Sequence, residues 1–395
     1  MNKALFYLNE QERDELVGLV QRLIQFPTED PPGHEIEMAH FLHEALQSWG
    51  FASTLDEFEP GRANVVARVK GNGSRPGLVF SAHIDTMTIG TGAWRYPPFG
   101  GEIHEGKLFG RGASDMKSGM AAMMIAARRV AQWAFRKGDL ILAFSAGESS
   151  NCLGAKRMLE TNALDGAGAI IVSEPSSLRI LVAETGTWWV KASATGIPGH
   201  ASGATGGLGV GSNAILKLVD FINDLRHFSF PVERDGSNVA DAHPLLGKPT
   251  IRIGTIAGGT AVNQTPDYAE LGLDIRFLPG MEVDVMLAAL QRLAGPNITF
   301  ETIDWKPPVE IPSDHPLVQL SMEACRWRLG EVPPPGGVAY YSDAVIFSPA
   351  LGLPRVILGP GELGMSGQRD EYVELDKLVA ASEIYQHIAY DLLIM

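Results

Sequence analysis

The chain has 395 residues, of which 45% are hydrophobic and 20% charged, with a formal net charge of −14. That length exceeds one ordinary core and predicts two domains. The acidity excludes a basic nucleic-acid-binding face and disfavours docking on anionic membranes; solubility is its simplest role.

In chain order, Asn9 with Glu12 predicts a capped helix start. Leu16, Leu19, Val20 and Leu23 then repeat at helical spacing up to Pro27. A second amphipathic helix is expected over 35–49, stopped by Gly50. The apolar runs 77–82, 139–145 and 169–173 do not alternate, which predicts buried parallel strands. Between the first two lies an Ala- and Met-rich helix over 117–135. Alternating strands and helices predict an α/β layer with a mainly parallel sheet.

The pattern changes near Thr185. A strand at 187–195, a helix at 210–228 and strands at 249–256 and 268–277 are followed by a helix at 281–293 and a strand at 298–305. This β-α-β-β-α-β order is that of a small ferredoxin-like domain. After Pro307 a helix at 315–329, a loop at 333–337, a strand at 355–358 and a helix at 375–393 resume the α/β pattern. The expected plan is a catalytic α/β domain in two parts, 1–184 and 306–395, with a ferredoxin-like domain inserted over 185–305.

Cys152 and Cys325 stand outside any CxxC and exclude a disulfide framework or a cysteine-rich zinc site. No stretch approaches the roughly 18 apolar residues of a membrane span, and the first apolar run is short for a signal peptide. A cytoplasmic protein is expected.

His83, Glu148 and Glu174 each fall just past an apolar strand, the edge where open α/β sheets bind ligands. Asp115 follows a glycine-rich turn and precedes a helix. One histidine and two carboxylates, His83, Asp115 and Glu174, suit a Zn, Mn or Co ion with positions left for water. Asp85, two residues beyond His83, is placed to orient that imidazole. Glu148 is the natural general base for a water activated by the cation. Taken singly, each residue has a plainer role: a helix cap for Asp115, a surface turn for Glu174, a core histidine for His83. Their order and their common place at strand ends favour the metal site.

From the first helix to the C-terminus the chain resembles the metallopeptidase family of aminoacylases, acetylornithine deacetylase, succinyl-diaminopimelate desuccinylase and glutamate carboxypeptidases. The resemblance is carried by Trp94 with Pro98-Phe99, Gly106-Lys-Leu-Phe-Gly-Arg-Gly112, Asp115-Met-Lys117 and Gly199-His-Ala-Ser202. It continues through Gly258-Gly259, Asn263-Gln-Thr-Pro-Asp267, Asp274-Ile-Arg276-Phe-Leu-Pro-Gly280 and Gly359-Pro-Gly361. It implies that the inserted domain is a lid that also forms a homodimer. It further implies that His83, a bridging Asp115 and Glu174 hold the first metal and that Glu148 is the general acid/base. His200 would stabilise the oxyanion, and Asn263 and Arg276 would hold polar groups of the substrate, Arg276 suiting a carboxylate.

Two departures from the family matter. Where it usually reads Asp-Glu-Glu, this chain has Gly147-Glu148-Ser149, and where it has a histidine ahead of an acidic pair, this chain has Gly367 before Asp370-Glu371. Both lost groups are ligands of the second metal, so a single divalent ion per chain is expected, unless Ser149 or Gln368 stands in for a lost ligand. One metal suits a substrate that carries its own electron sink. An aromatic aminohydrolase of the 5-nitroanthranilate type, itself a member of the family, releases ammonia from such a substrate. Its carboxylate would meet Arg276 or Arg369, and Trp188-Trp189 and Tyr340-Tyr341 would wall a flat pocket. The alternatives are an N-acyl-amino-acid deacylase or a metallo-dipeptidase or carboxypeptidase, and, from another class, a catalytically dead binder of small carboxylates.

Overall fold

The structure, a computed structural model, describes residues 3–200, 213–230, 233–234, 237–238 and 242–395. The chain forms two compact units. One comprises Met1–Val182, Ile311–Gly337 and Ser342–Met395; the other comprises Ala183–Glu310 and Val338–Tyr341.

In the first unit the strands follow the spatial order Ala52–Glu59, Arg62–Val69, Leu140–Ser145, Gly77–His83, Ala167–Val172 and Arg355–Ile357. The last four pair in parallel. The first pairs antiparallel with the second, the second with Leu140–Ser145, and Ile357 antiparallel with Leu181. The sheet is therefore parallel at its centre and antiparallel at its margins. Every residue of Gly77–His83 and Leu140–Ser145 is buried, which is why these runs show no alternation. The helices Lys117–Ala131 and Leu375–Leu393 pack on one another and on Gly77–His83. Ile36–Ser48, Leu153–Glu160 and Ala344–Leu351 pack on other strands of the sheet.

The capping pair is present: Glu12 N donates to Asn9 Oδ1 and Asn9 N to Glu12 Oε2, both at 2.9 Å, opening the helix Glu10–Ile24. The Ala- and Met-rich helix stops at Ala131, short of 135, and Phe135 is exposed with φ 64°. Several elements lie outside the sequence reading. The hairpin Ala52–Glu59/Arg62–Val69 is marked by Pro60-Gly61 between two β-rich runs. Leu153–Glu160 spans only two turns, and Ala344–Leu351 carries Pro349 inside it, which masks a helical reading.

The second unit holds a fully antiparallel sheet ordered Thr250–Gly258, Tyr268–Phe277, Gly186–Thr195, Ile298–Lys306. The helices Ala214–Leu225 and Val283–Ala294 complete the ferredoxin-like order. Along Tyr268–Phe277 alternate residues Ala269, Leu271, Leu273, Ile275 and Phe277 are buried, the period of a sheet with one covered face. They meet Trp188, Val190, Leu218 and Phe221 in one core. The expected helix start at 210–212 and the motif residues Ala201 and Ser202 lie outside the described residues.

Candidate metal centre

Parallel pairing aligns the ends of three strands. His83 stands opposite Ser145, and Ser81 opposite Val172, so the segments carrying His83, Glu148 and Glu174 leave the sheet at one edge. Asp115 arrives from the turn before Lys117–Ala131, where Lys117 N donates to Gly112 O. Among the described residues, His83, Asp115 and Glu174 form the one group of this kind, each offering a ligand atom within 4.8 Å of the others.

The donor chemistry of this group fits a cation. His83 Nδ1 lies 2.8 Å from Asp85 O. A carbonyl only accepts, so Nδ1 carries a proton and Nε2 faces inward, where it donates to a carboxylate when protonated and offers a lone pair to a cation when not. There it meets Asp115 Oδ1 at 3.0 Å and Glu174 Oε1 at 3.6 Å. A lone pair against two carboxylate oxygens is repulsive unless a proton or a metal ion lies among them. Burial alone would lower the imidazole pKa. The Asp115 hydrogen bond and the charges of Glu174 and Asp85 outweigh it and hold the pKa well above its usual value.

Asp85 supports this edge in two ways. Its main-chain carbonyl orients the His83 ring, whereas its carboxylate, 3.8 Å from Nδ1, accepts Glu148 N and Ser149 N at 3.0 Å each. The carboxylate therefore fixes the turn that carries Glu148. Glu148 is buried, and burial, reinforced by Asp343, Asp85 and Asp115, holds its pKa well above the ordinary carboxylate value against the opposing pull of His83.

The sequence reading did not assign three other residues of the site. Asp343 is buried and accepts a hydrogen bond from the Ser145 hydroxyl. Burial pushes its pKa up to about 6. Glu371 Oε1 accepts Ser114 N and Asp115 N at 2.9 Å each, and its Oε2 pairs with Arg111. Burial raises Glu371 to about 7 despite that pairing. Ser366 donates to Asp115 Oδ2. The acidic pair Asp370-Glu371 was the signal that could have led to Glu371.

The substrate candidates are placed as follows. Asn263 Nδ2 and His200 Nε2 lie 3.3 Å apart in the second unit, on exposed segments that pair Gly199 with Thr265 and His200 with Gln264. Arg276, in the same unit, is already engaged: its guanidinium chelates Asp274 at 2.8 and 3.0 Å and donates to Thr187 Oγ1 at 2.9 Å and Ala339 O at 3.3 Å. Arg369, in the first unit, is exposed, and its guanidinium lies over Gly92, where a Cβ would come within 2.2 Å of Nη1. Trp188 is core, its Nε1 donating to Thr302 Oγ1 at 2.9 Å, so it walls no pocket. Trp189 and Tyr341 instead face the Lys306 ammonium at 5.0 and 4.3 Å.

The family model described as "Peptidase family M20/M25/M40" matches residues 79–391. The chain belongs to this family. It is therefore a metal-dependent hydrolase of C–N bonds of the amide or peptide kind. A probable succinyl-diaminopimelate desuccinylase of Staphylococcus epidermidis is 28% identical over 96% of this chain and 98% of that protein. An acetylornithine deacetylase of Salmonella arizonae is 30% identical over 84% of each. Among solved structures, an M20 family metallo-carboxypeptidase of Sulfolobus solfataricus superposes with a TM-score of 0.78 at 18% identity, covering 97% of this chain and 99% of that one. A dinuclear metal-binding M20 peptidase of Bacillus subtilis gives 0.73 at 17% identity, covering 98% and 99%. These two likenesses concern the fold. In this M20 chain no helix among the described residues is long and apolar enough to cross a membrane.

Proposed function

We propose that this M20 chain is a one-cation amidohydrolase that removes an acyl group from a small carboxylate-bearing amino acid or cleaves a comparable dipeptide. The observation that carries the reading is the meeting of His83, Asp115 and Glu174 at the sheet edge that also bears the buried Glu148. Ser149 and Gly367, at the positions of a second ligand set, favour a single Mn, Zn or Co ion held by those three side chains. When bound, the ion supplies Lewis acidity, lowering the pKa of water and polarising the scissile carbonyl.

The remaining work falls to the chain's own groups. Glu148 takes the proton of the attacking water and returns it to the leaving nitrogen, and its burial strengthens its hold on that proton between the two steps. Asp85 keeps the Glu148 turn in place. His200 and Asn263 serve as donors to the developing oxyanion and the substrate. Arg369 takes the substrate carboxylate, since Arg276 has four of its five N–H groups already committed. The desuccinylase and deacetylase names of the relatives favour an N-acyl amino acid. The exposed edge strand Thr250–Gly258, with Ile253 and Ile256 open to solvent, favours a homodimer through the second unit.

A second reading rests on the missing second ligand set: an aryl amine with its own electron sink needs less Lewis acidity, and 5-nitroanthranilate is such a substrate. One experiment tests both. Metal-free protein is titrated with Mn(II), ions per chain are counted, and products from N-acetyl and N-succinyl amino acids and from 5-nitroanthranilate are identified. One ion with release of the acyl acid is expected. Ammonium release from the aryl amine alone would transfer the assignment to the second reading, and two ions or none would refute the one-cation site.

A further inference from the structure

We infer that Ser366 is a positioning residue for Asp115, holding its outer carboxylate oxygen so that only the inner one is offered to a cation. The inference rests on the one-cation reading above and adds the residue that enforces it.

The two oxygens of Asp115 have different partners. Oδ1 lies 3.0 Å from His83 Nε2 and belongs to the ligand triangle. Oδ2 accepts the Ser366 hydroxyl. A carboxylate that bridges two cations through separate oxygens needs each oxygen open to one of them. A donated hydroxyl proton occupies the outer oxygen, opposes a cation there by its own positive charge, and stops the carboxylate from rotating about its last bond.

The contact is built from both flanks. Arg111 donates to Gly367 O and Gln368 O at 3.2 Å each and pairs with Glu371. Glu371 in turn accepts Ser114 N and Asp115 N. Glu362 N donates to Ser114 Oγ at 2.9 Å. The loop that presents Ser366 is thus tied to the turn that presents Asp115 on each side of the contact. The next residue, Gly367, has φ +71°, a left-handed conformation that L side chains disfavour. Space is not the obstacle there, because a Cβ would meet Met87 no closer than 3.6 Å. The backbone itself disfavours a side-chain ligand at 367 while delivering a hydroxyl from 366.

The test is Mn(II) affinity, measured by calorimetry and by loss of the free-ion paramagnetic signal, on metal-free wild type, Ser366→Ala and Ser366→Thr. Second-sphere groups that orient a ligand typically change metal affinity 10- to 100-fold. Ser366→Ala is expected to weaken binding of the ion about tenfold or more, Ser366→Thr to stay near wild type, and the melting temperature of the metal-free proteins to stay the same. If wild type binds one ion and Ser366→Ala binds it within twofold of wild type, the inference is overturned and the one-cation reading stands. If Ser366→Ala weakens binding but also lowers the metal-free melting temperature, and Ser366→Thr does not restore affinity, Ser366 is merely structural and the inference is again overturned. If wild type itself binds two ions or none, the one-cation reading fails first.

Discussion

The edge of the first unit's sheet and the polar face of the second unit hold their charged groups in opposite states. At the first, His83 Nε2, Asp115 Oδ1 and Glu174 Oε1 point at one another, and Asp85 and Glu371 lock the surrounding turns through main-chain N–H groups. At the second, Arg276 is satisfied by Asp274, Thr187 and Ala339, and the Lys306 ammonium pairs with Asp304 between Trp189 and Tyr341. Converging ligand atoms held rigid by the backbone need a proton or a cation among them. A guanidinium with four of its five donors committed has little left to offer. Residue types alone would have ranked both clusters as sites; only the allocation of hydrogen bonds separates them.

The comparison breaks most severely at Glu148. Glu148→Ala is expected to lower kcat by about 10²–10⁴-fold, the usual contribution of a general base, while metal affinity stays near wild type. Unchanged turnover would revive the catalytically dead binder as the better description of the first unit. Next come the arginines. Arg369→Ala is expected to raise KM about tenfold with kcat little changed, as loss of uniform binding does. Arg276→Ala is expected to change KM less and the melting temperature more, because it strands Asp274. The reverse pattern in steady-state kinetics would return the carboxylate to Arg276. The smallest effect is expected at the exposed edge of the second unit. Ile256→Lys should leave metal binding and the melting temperature nearly unaltered, since Ile256 is 59% exposed, yet convert a dimer to a monomer in sedimentation velocity. A dimer that survives this substitution would move the interface elsewhere.

Much of the fold was readable because periodicity reports burial. Unbroken apolar runs at 77–82 and 139–145 became the sheet centre, and alternation at 268–277 became a one-faced strand. The hairpin at 52–69 was overlooked because its first strand is only half covered and its pattern is weak. In the candidate site, His83, Glu148 and Glu174 were readable because each directly follows such a run. Asp343 and Ser366 were not, because their partners Ser145 and Asp115 lie 198 and 251 residues away in sequence. Nothing local distinguishes Ser366 from any loop serine.

The sequence by itself determined the α/β and ferredoxin-like layers, the M20 motifs and the ligand types, because periodicity, turn residues and side-chain chemistry are local properties. The tertiary structure alone decided that Asp85 spends its carboxylate on the Glu148 turn, that Arg276 arrives with most of its donors committed while Arg369 lies exposed, and that Ser366 covers one oxygen of Asp115. A side chain's identity states how many hydrogen bonds it can make. Which of them are already made depends on neighbours that the folded chain supplies, some of them, like Ser366 and Asp115, 251 residues apart.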